Sequence, residues 1–290
     1  MRSGFVPVVG RPNVGKSTLV NALVGSKVSI TSPRPQTTRN TIRGVVDRDD
    51  LQIVLVDTPG LHRPRSALGE RLNAAVMGSL VEADAALFVI EATGRIGPGD
   101  RLIAERLQAA GLATVCVVNK VDAADSADVV ERLAMAAEWD FAAYVPVSAL
   151  TGDNLEPVVA EISLMLPEGP RYFPEGMPSD QADEFLMGEI VREKFLALLR
   201  DELPHSLAVL VDSVEEQPNG VTRIEAEVMV ERESQKGMVI GKGGVLLREA
   251  GSAARSELEA RFGTRIHLEL RVKVRKDWQT HPGIIARLGM

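Results

Sequence analysis

The sequence predicts an α/β domain built on a mostly parallel sheet, followed by a smaller α+β domain. Three observations lead there. First, residues 5–9, 53–56, 85–90, 113–118 and 143–147 are short apolar runs with room for a helix between most of them. Several are apolar throughout, as strands buried on both faces of a helix-covered parallel sheet are. Second, residues 166–179, LPEGPRYFPEGMPS, hold four prolines and two glycines, which suits neither a helix nor a central strand. Third, the pattern changes beyond that stretch. A long amphipathic helix over 181–201 leads to strands over 206–215 and 221–233, then to a helix ending in the loop GKGG, a helix over 245–262 stopped by Gly263, and a last strand. We therefore divide the chain into residues 1–168, a Pro/Gly-rich linker 169–180, and residues 181–290 with a C-terminal tail.

The last strand, RIHLELRVKVR, alternates without error. Ile266, Leu268, Leu270, Val272 and Val274 take one face, and Arg265, His267, Glu269, Arg271, Lys273 and Arg275 the other, the signature of a half-buried strand. The overall charge of −7 argues against a nucleic-acid partner, but its distribution is uneven. Residues 236–276 hold 10 basic and 4 acidic side chains, a local excess of positive charge around GKGG.

A composition of 45% apolar and 25% charged residues is that of a globular protein. The single cysteine, Cys116, sits in the run TVCVV, where an inert buried thiol in a reducing compartment is expected. No apolar run approaches the roughly 18 residues needed to cross a bilayer, and no signal-peptide core precedes the first strand, so a cytoplasmic location is expected. Four scattered histidines offer no zinc-cage spacing.

The motif Gly10-Arg11-Pro12-Asn13-Val14-Gly15-Lys16-Ser17, followed by Thr18, lies between a predicted strand and a predicted helix. Its glycines let successive N–H groups converge on a phosphate at a helix N-terminus. Lys16 neutralises β/γ charge, and Ser17 offers a hydroxyl to Mg²⁺. Asp57-Thr58-Pro59-Gly60, then Leu61, follows the strand at 53–56. Asp57 is placed to hold Mg²⁺ through water, and the Gly60 N–H to sense a γ-phosphate. The polar segment SITSPRPQTTRNT supplies a threonine to the metal, with Thr38 preferred to Thr37.

Asn119-Lys120-Val121-Asp122 ends the strand at 113–118. Asp122 can accept both N1–H and the 2-amino group of guanine, a donor pair that adenine lacks. The Asn119 amide can reach the purine edge, and the stem of Lys120 can cover the ring. Ser148, Ala149 and Leu150 follow a further strand, and the Ala149 N–H is assigned to guanine O6.

With these motifs in order, the chain resembles the translation-factor-related GTPases and, within them, the Era family of small-subunit maturation GTPases. The strings GRPNVGKSTLVNAL, ITSPRPQTTRNTI, DTPGLH, NKVD and SAL carry the resemblance, which extends to the tail VKVRKDW. It implies a P-loop GTPase domain that converts GTP to GDP, with Mg²⁺ held through Ser17, Thr38 and Asp57, and Lys16, Thr38 and Gly60 in the catalytic machinery. In Ras-like proteins a glutamine follows the DxxG glycine and orients water, whereas Leu61 cannot hydrogen-bond at all. Asn13 matches the asparagine with which related GTPases help bind K⁺, so K⁺ is an expected activator. His62 is a weaker catalytic candidate, read as a surface histidine.

The second glycine loop lacks a hydroxyl after its lysine and a metal-binding carboxylate strand behind it. It joins two helices beside a three-stranded sheet and resembles a KH domain of the second topological type. Such a loop clamps about four single-stranded nucleotides. Val239, Ile240, Gly241, Lys242, Gly243 and Gly244 form its signature, with Arg248, Arg271 and Lys273 adding charge. The resemblance to the Era family implies the 3′ end of small-subunit ribosomal RNA and the small subunit as partners. A monomer is expected, and the leading expectation is a switch in which GTP orders the loops at Thr38 and Gly60 and the first domain repositions against the second. Peripheral attachment to the cytoplasmic face of the membrane stays an open alternative to a purely cytoplasmic location. The competing function is a GTP-dependent RNA-modifying enzyme, opposed by the absence of a catalytic cysteine outside a core strand.

Overall fold

The structure, a computed structural model, describes residues 1–34, 37–61, 67–199 and 203–289. His62 therefore lies outside the described residues. The chain forms two compact units, Met1–Thr31 with Thr38–Asp180, and Ser32–Thr37 with Gln181–Met290.

The first unit contains β1 (Arg2–Val9), α1 (Lys16–Val24), β2 (Ile42–Arg48), β3 (Leu51–Asp57), α2 (Ala67–Val81), β4 (Ala86–Glu91), α3 (Pro98–Ala110), β5 (Thr114–Asn119), α4 (Ser126–Ala137), β6 (Ala143–Pro146) and α5 (Leu155–Met165). Its six-stranded sheet runs β2-β3-β1-β4-β5-β6. All pairings are parallel except β2 with β3. Every residue of β5 is buried, as expected of a strand covered on both faces. The antiparallel edge strand β2, IRGVVDR, was not among the predicted strands; its charged ends interrupt the apolar run.

Helices cover the sheet through a core that includes Phe88, Ile90, Leu107 and Cys116. Burial pushes the Cys116 thiol far above its ordinary value, the state of an inert side chain.

The stretch read as a linker, 169–180, is strapped to this unit. Arg171 pairs with Asp47 at 2.6 Å, and the N–H groups of Tyr172 and Phe173 both donate to Gln52 Oε1. Tyr172 also packs on Phe5, with ring centroids 4.9 Å apart.

The second unit contains α6 (Asp183–Leu198), α7 (Leu203–Ser206), β7 (Ala208–Glu216), β8 (Val221–Val230), α8 (Glu233–Ile240), α9 (Val245–Phe262), β9 (Arg265–Val274) and α10 (Pro282–Arg287). Its sheet runs β7-β8-β9, with β7 antiparallel and β9 parallel to the central strand. The apolar residues of β9 pack with α6, α8 and α9 around Phe195, Val228 and Val239. On the opposite face the tail returns: Trp278, fully buried, packs with Ala208, Met229 and Leu288 and donates its indole N–H to Ser206 O at 2.9 Å. Nothing in the hydrophobic periodicity had marked this residue as core.

Candidate functional site

The ends of β1, β3, β4 and β5 and the loop after β6 converge on one site in the first unit. Gly15, at φ +96°, caps α1, and a β-carbon there would stand 2.2 Å from Asn119 Nδ2; only glycine fits this junction. Lys16 follows it into the helix and is nearly buried. Its ammonium donates to Gly10 O at 3.2 Å and Arg11 O at 2.9 Å. Burial pushes Lys16 down to about 8, an effect that the negative charge of Asp57 partly offsets.

Asp57, at the end of β3, is fully buried. Its Oδ2 accepts hydrogen bonds from Ser17 Oγ and Ser29 Oγ, both at 2.7 Å, and a longer one from Thr38 Oγ1 at 3.4 Å. Burial raises the carboxyl above its ordinary value, while the hydroxyls of Ser29 and Ser17 and the charge of Lys16 pull it back. Oδ1 is buried with no hydrogen-bond partner in the protein. A buried carboxylate oxygen without a donor is costly, and this one sits beside two further oxygen donors, Ser17 and Thr38, themselves 2.9 Å apart. An oxygen-only set of this kind fits Mg²⁺. Of the two threonines considered, Thr38 lies beside Asp57, whereas Thr37 donates to Arg34 O. Ser29 was missed by sequence reasoning, because a serine in a polar loop carries no spacing signal.

Thr58 is buried and donates to Val8 O at 2.8 Å. A β-carbon on Gly60 would approach Pro12 N to 2.7 Å, so the two loops are in close contact. Leu61 donates its N–H to Gly10 O at 3.3 Å, while its side chain joins the core beside Val76 and Leu80. It is turned away from any role in placing water.

The base-reading residues also meet. Gly15, Thr18, Asn119, Lys120, Asp122, Ala149 and Leu150 line a cavity of about 210 Å³. The Asn119 amide donates to Val14 O at 2.9 Å, and its Oδ1 accepts the Ala149 N–H at 3.0 Å. Here Asn119 ties the phosphate loop to the loop after β6, and its amide nitrogen, with one of two N–H donors on Val14 O, keeps a second donor. Ser148 Oγ donates to Asp122 Oδ1 at 2.6 Å, orienting the carboxylate that was assigned to guanine.

In the second unit the glycine loop is built as its sequence implied. Gly241, Gly243 and Gly244 have φ of +75°, +64° and +74°, and the exposed Lys242 lies between the first two. Arg248 donates to Gly243 O at 3.1 Å. The remaining candidates separate. Val239 is fully buried in the core, so its side chain supports the loop from below; Ile240 is partly exposed.

Arg271 and Lys273 project from the β9 face opposite its core-facing residues and already have acidic partners. Arg271 pairs with Glu269 at 2.6 Å and Lys273 with Glu227 at 2.6 Å. The basic stripe read from β9 alone is thus largely neutralised by β8, whose Glu225 and Glu227 share that face. Met238 and Val245, both exposed beside the glycine loop, were not singled out from sequence, although apolar residues flanking such a loop are suited to contact bases.

A phosphate loop, a buried aspartate with one oxygen left without a protein donor and an NKVD motif on one mostly parallel sheet define a GTPase, here joined to a glycine-loop module of the KH kind. The profile of the 50S ribosome-binding GTPases matches residues 5–120, and that of the KH domains residues 202–279. GTPase Era of Mycobacterium avium is 52% identical over 294 residues, spanning 99% of this chain and 98% of that protein. GTPase Era of Mycobacterium tuberculosis matches to the same extent. Two solved Era structures each superpose with a TM-score of 0.95 at 39% identity, covering 100% of this chain and 99% of theirs. One is an Aquifex aeolicus Era variant bound to GDP·AlF4⁻; the other is Era in complex with MgGDPNP and nucleotides 1506–1542 of 16S ribosomal RNA. The chain belongs to the Era family of GTPases. Among the described residues no helix is long and apolar enough to cross a membrane.

Proposed function

We propose that this chain is a GTP-hydrolysing switch that binds the 3′ end of small-subunit ribosomal RNA and assists maturation of the 30S subunit. The observation that carries the nucleotide half is the buried Asp57 carboxylate, one oxygen bonded to hydroxyls and the other without a protein donor, beside the buried Lys16. Bound Mg²⁺ would neutralise the β/γ-phosphate oxygens, held through Ser17, Thr38 and Asp57. Lys16 adds a positive charge to the same oxygens, and the backbone N–H groups between Asn13 and Thr18 enclose them. The Gly60 N–H reads the γ-phosphate. Since the Leu61 side chain is packed in the core, water is oriented by other groups, and K⁺ bound with the help of Asn13 is the proposed supplement. Faster turnover in KCl than in NaCl is expected; equal rates would remove K⁺ from the reading.

For the RNA half, Gly241 to Gly244 grip the sugar-phosphate backbone, with Lys242 and Arg248 adding charge. The supporting parallel is the solved Era complex with 16S nucleotides. The decisive experiment measures binding of an RNA with the 3′-terminal small-subunit sequence in the presence of GTP analogue, GDP and no nucleotide. Coupling is reciprocal in binding free energy, so affinity should differ among the three and the RNA should shift GTP affinity by the same factor. Identical RNA affinity in all three states would refute the switch. G243D should abolish RNA binding and leave GTP binding intact. Such a protein works in the cytoplasm; contact with the membrane's inner face is tested by cosedimentation with anionic vesicles.

A further inference from the structure

Glu91 lies at the end of β4, in register with Asn119 of β5, and none of the nucleotide motifs includes it. Its Oε2 accepts a hydrogen bond from Lys120 Nζ at 2.7 Å, and its Oε1 is 3.9 Å from Arg11 NH2. Lys120 Nζ also donates to Asn13 O at 2.7 Å. Arg11 is held from the other side by Asp100, whose side chain is 1% exposed: Arg11 Nε donates to Asp100 Oδ1 at 2.8 Å, and Asp100 Oδ2 accepts the Gly97 N–H at the start of α3.

One carboxylate thus neutralises a cation from the base-reading loop and stands beside a cation from the phosphate loop, and a second carboxylate anchors the latter to α3. Lys120 needs such an anchor, because its φ of +68° is a left-handed conformation that a lysine seldom adopts. The surroundings are cut to fit. A β-carbon on Gly94 would strike Glu91 Oε1 at 2.6 Å, and one on Gly99 would press on Arg11 Cδ at 3.1 Å.

We propose that Glu91, backed by Asp100, is a positioning residue for guanine-nucleotide retention: it cross-ties the phosphate loop to the base-reading loop by holding Lys120 and Arg11. The proposal rests on the nucleotide reading of the site. It has a distinct signature, since the Glu91 carboxylate itself contacts Lys120 and Arg11 and is bonded to neither Lys16 nor the Mg²⁺-facing residues Ser17, Thr38 and Asp57. Glu91 therefore sets how long GDP and GTP stay bound, equally for both, and leaves the hydrolytic step alone.

The test is stopped-flow release of fluorescent GDP and of a fluorescent non-hydrolysable GTP analogue from the full chain and from E91Q, which keeps the size of the side chain and removes its charge. The pairs are part-exposed, with side-chain exposures of 25% for Glu91 and 36% for Lys120, so the effect should fall between those of a surface pair and a buried one. Release about tenfold faster for both nucleotides is expected, with single-turnover hydrolysis at saturating GTP within twofold of wild type. Adding E91Q to K120M should cost much less than it costs the wild type, because the anchored group is gone. E91D, which withdraws the carboxylate from Lys120 while retaining charge, should give an intermediate release rate and serves in place of E91Q if circular dichroism shows that E91Q does not fold. Wild-type release from the folded variants, full additivity with K120M, or a loss confined to one nucleotide would each overturn the proposal. Failure of the unmutated chain to bind guanine nucleotides would instead overturn the reading of the site.

Discussion

Replacing Gly15 with alanine separates two costs that a phosphate-loop glycine usually carries together. The backbone at Gly15 has φ +96°, and a residue bearing a side chain loses about 1 kcal/mol in the left-handed region. The new β-carbon would also stand 2.2 Å from Asn119 Nδ2, so the amide must leave. It then gives up its bonds to Val14 O and the Ala149 N–H, at about 1 kcal/mol each. The total of about 3 kcal/mol corresponds to a factor of roughly 150 in GDP affinity if borne by binding. Gly25 is the control. It has φ +75° at the end of α1 with nothing within 4 Å of a built β-carbon, so G25A should cost about 1 kcal/mol of stability and leave affinity unchanged. Titration with a fluorescent GDP, paired with thermal unfolding, measures both. If G15A binds GDP within threefold of wild type, or if G25A loses affinity as G15A does, the Asn119 tie does not position the loop.

Removing the Ser29 hydroxyl takes away a bond that lowers the Asp57 value, so S29A should hold Asp57 more protonated. Mg²⁺ retention by the nucleotide complex, which needs the carboxylate, should then weaken, and the loss should grow as the pH is lowered; a loss independent of pH in Mg²⁺ titrations would contradict this. Lys16, held near 8, gains anionic partners when phosphates bind. GDP binding at pH 9 should therefore take up protons, seen as calorimetric heats that vary with the buffer's ionisation enthalpy; buffer-independent heats would exclude it. Burial raises Glu227, but its bonds to Arg275 and Lys273 outweigh that and hold it below its ordinary 4.5. Its stabilisation is present above pH 4.5 and is lost as pH falls through the lower folded value. E227Q should accordingly cost about 1 kcal/mol at pH 7 and progressively less as the pH is taken below 4.5, measured by urea unfolding. V239A opens a cavity in the core of the second unit and should cost roughly 1–3 kcal/mol of stability while RNA affinity at low temperature stays within about twofold. A large loss of affinity in a folded V239A would return Val239 to the RNA groove.

The nucleotide site was legible because its chemistry sits in short contiguous strings at strand ends, where one residue type in one place does one job. Lys16, Ser17, Asp57 and Asp122 are of this kind. What spacing could not reveal is what lies opposite a residue in space. Ser29 reaches Asp57 from a different loop, and Glu91 reaches Lys120 across a strand pair; neither has a local signal. Asn119 has a second task that spacing could not reveal, because its amide also ties the phosphate loop to the loop after β6.

The β9 stripe illustrates the same limit from the other side. Alternation correctly put Arg271 and Lys273 on one face, but the charge of a sheet face is set by all its strands. The signal was available in β8, where VTRIEAEVMV alternates as well and puts Arg223, Glu225 and Glu227 together. Reading two strands jointly would have shown the face to be mixed. That shifts the expected RNA charge toward Lys242 and Arg248 around the glycine loop, which stay exposed.

The pair at the heart of the nucleotide site also bears on why such a site works. Displacement of Lys16 from 10.5 to about 8 is worth about 3 kcal/mol against the fold. That cost is complete below pH 8, where folded and unfolded chains are both protonated. It disappears between about 8 and 10.5, where only the unfolded chain keeps the proton. Asp57 is displaced in the opposite sense, with its cost present at neutral pH and relieved on acidification. Both are charges whose burial costs more than their protein partners return. The groups that offset the difference are a phosphate for Lys16 and a divalent cation for Asp57, which arrive together in a metal–nucleotide complex. Binding is then strengthened by relief of a strain that folding has already put in place. A ligand lacking either half relieves only one charge, so selectivity for the complete complex is built into the burial of the two residues, as well as into contacts with the ligand itself.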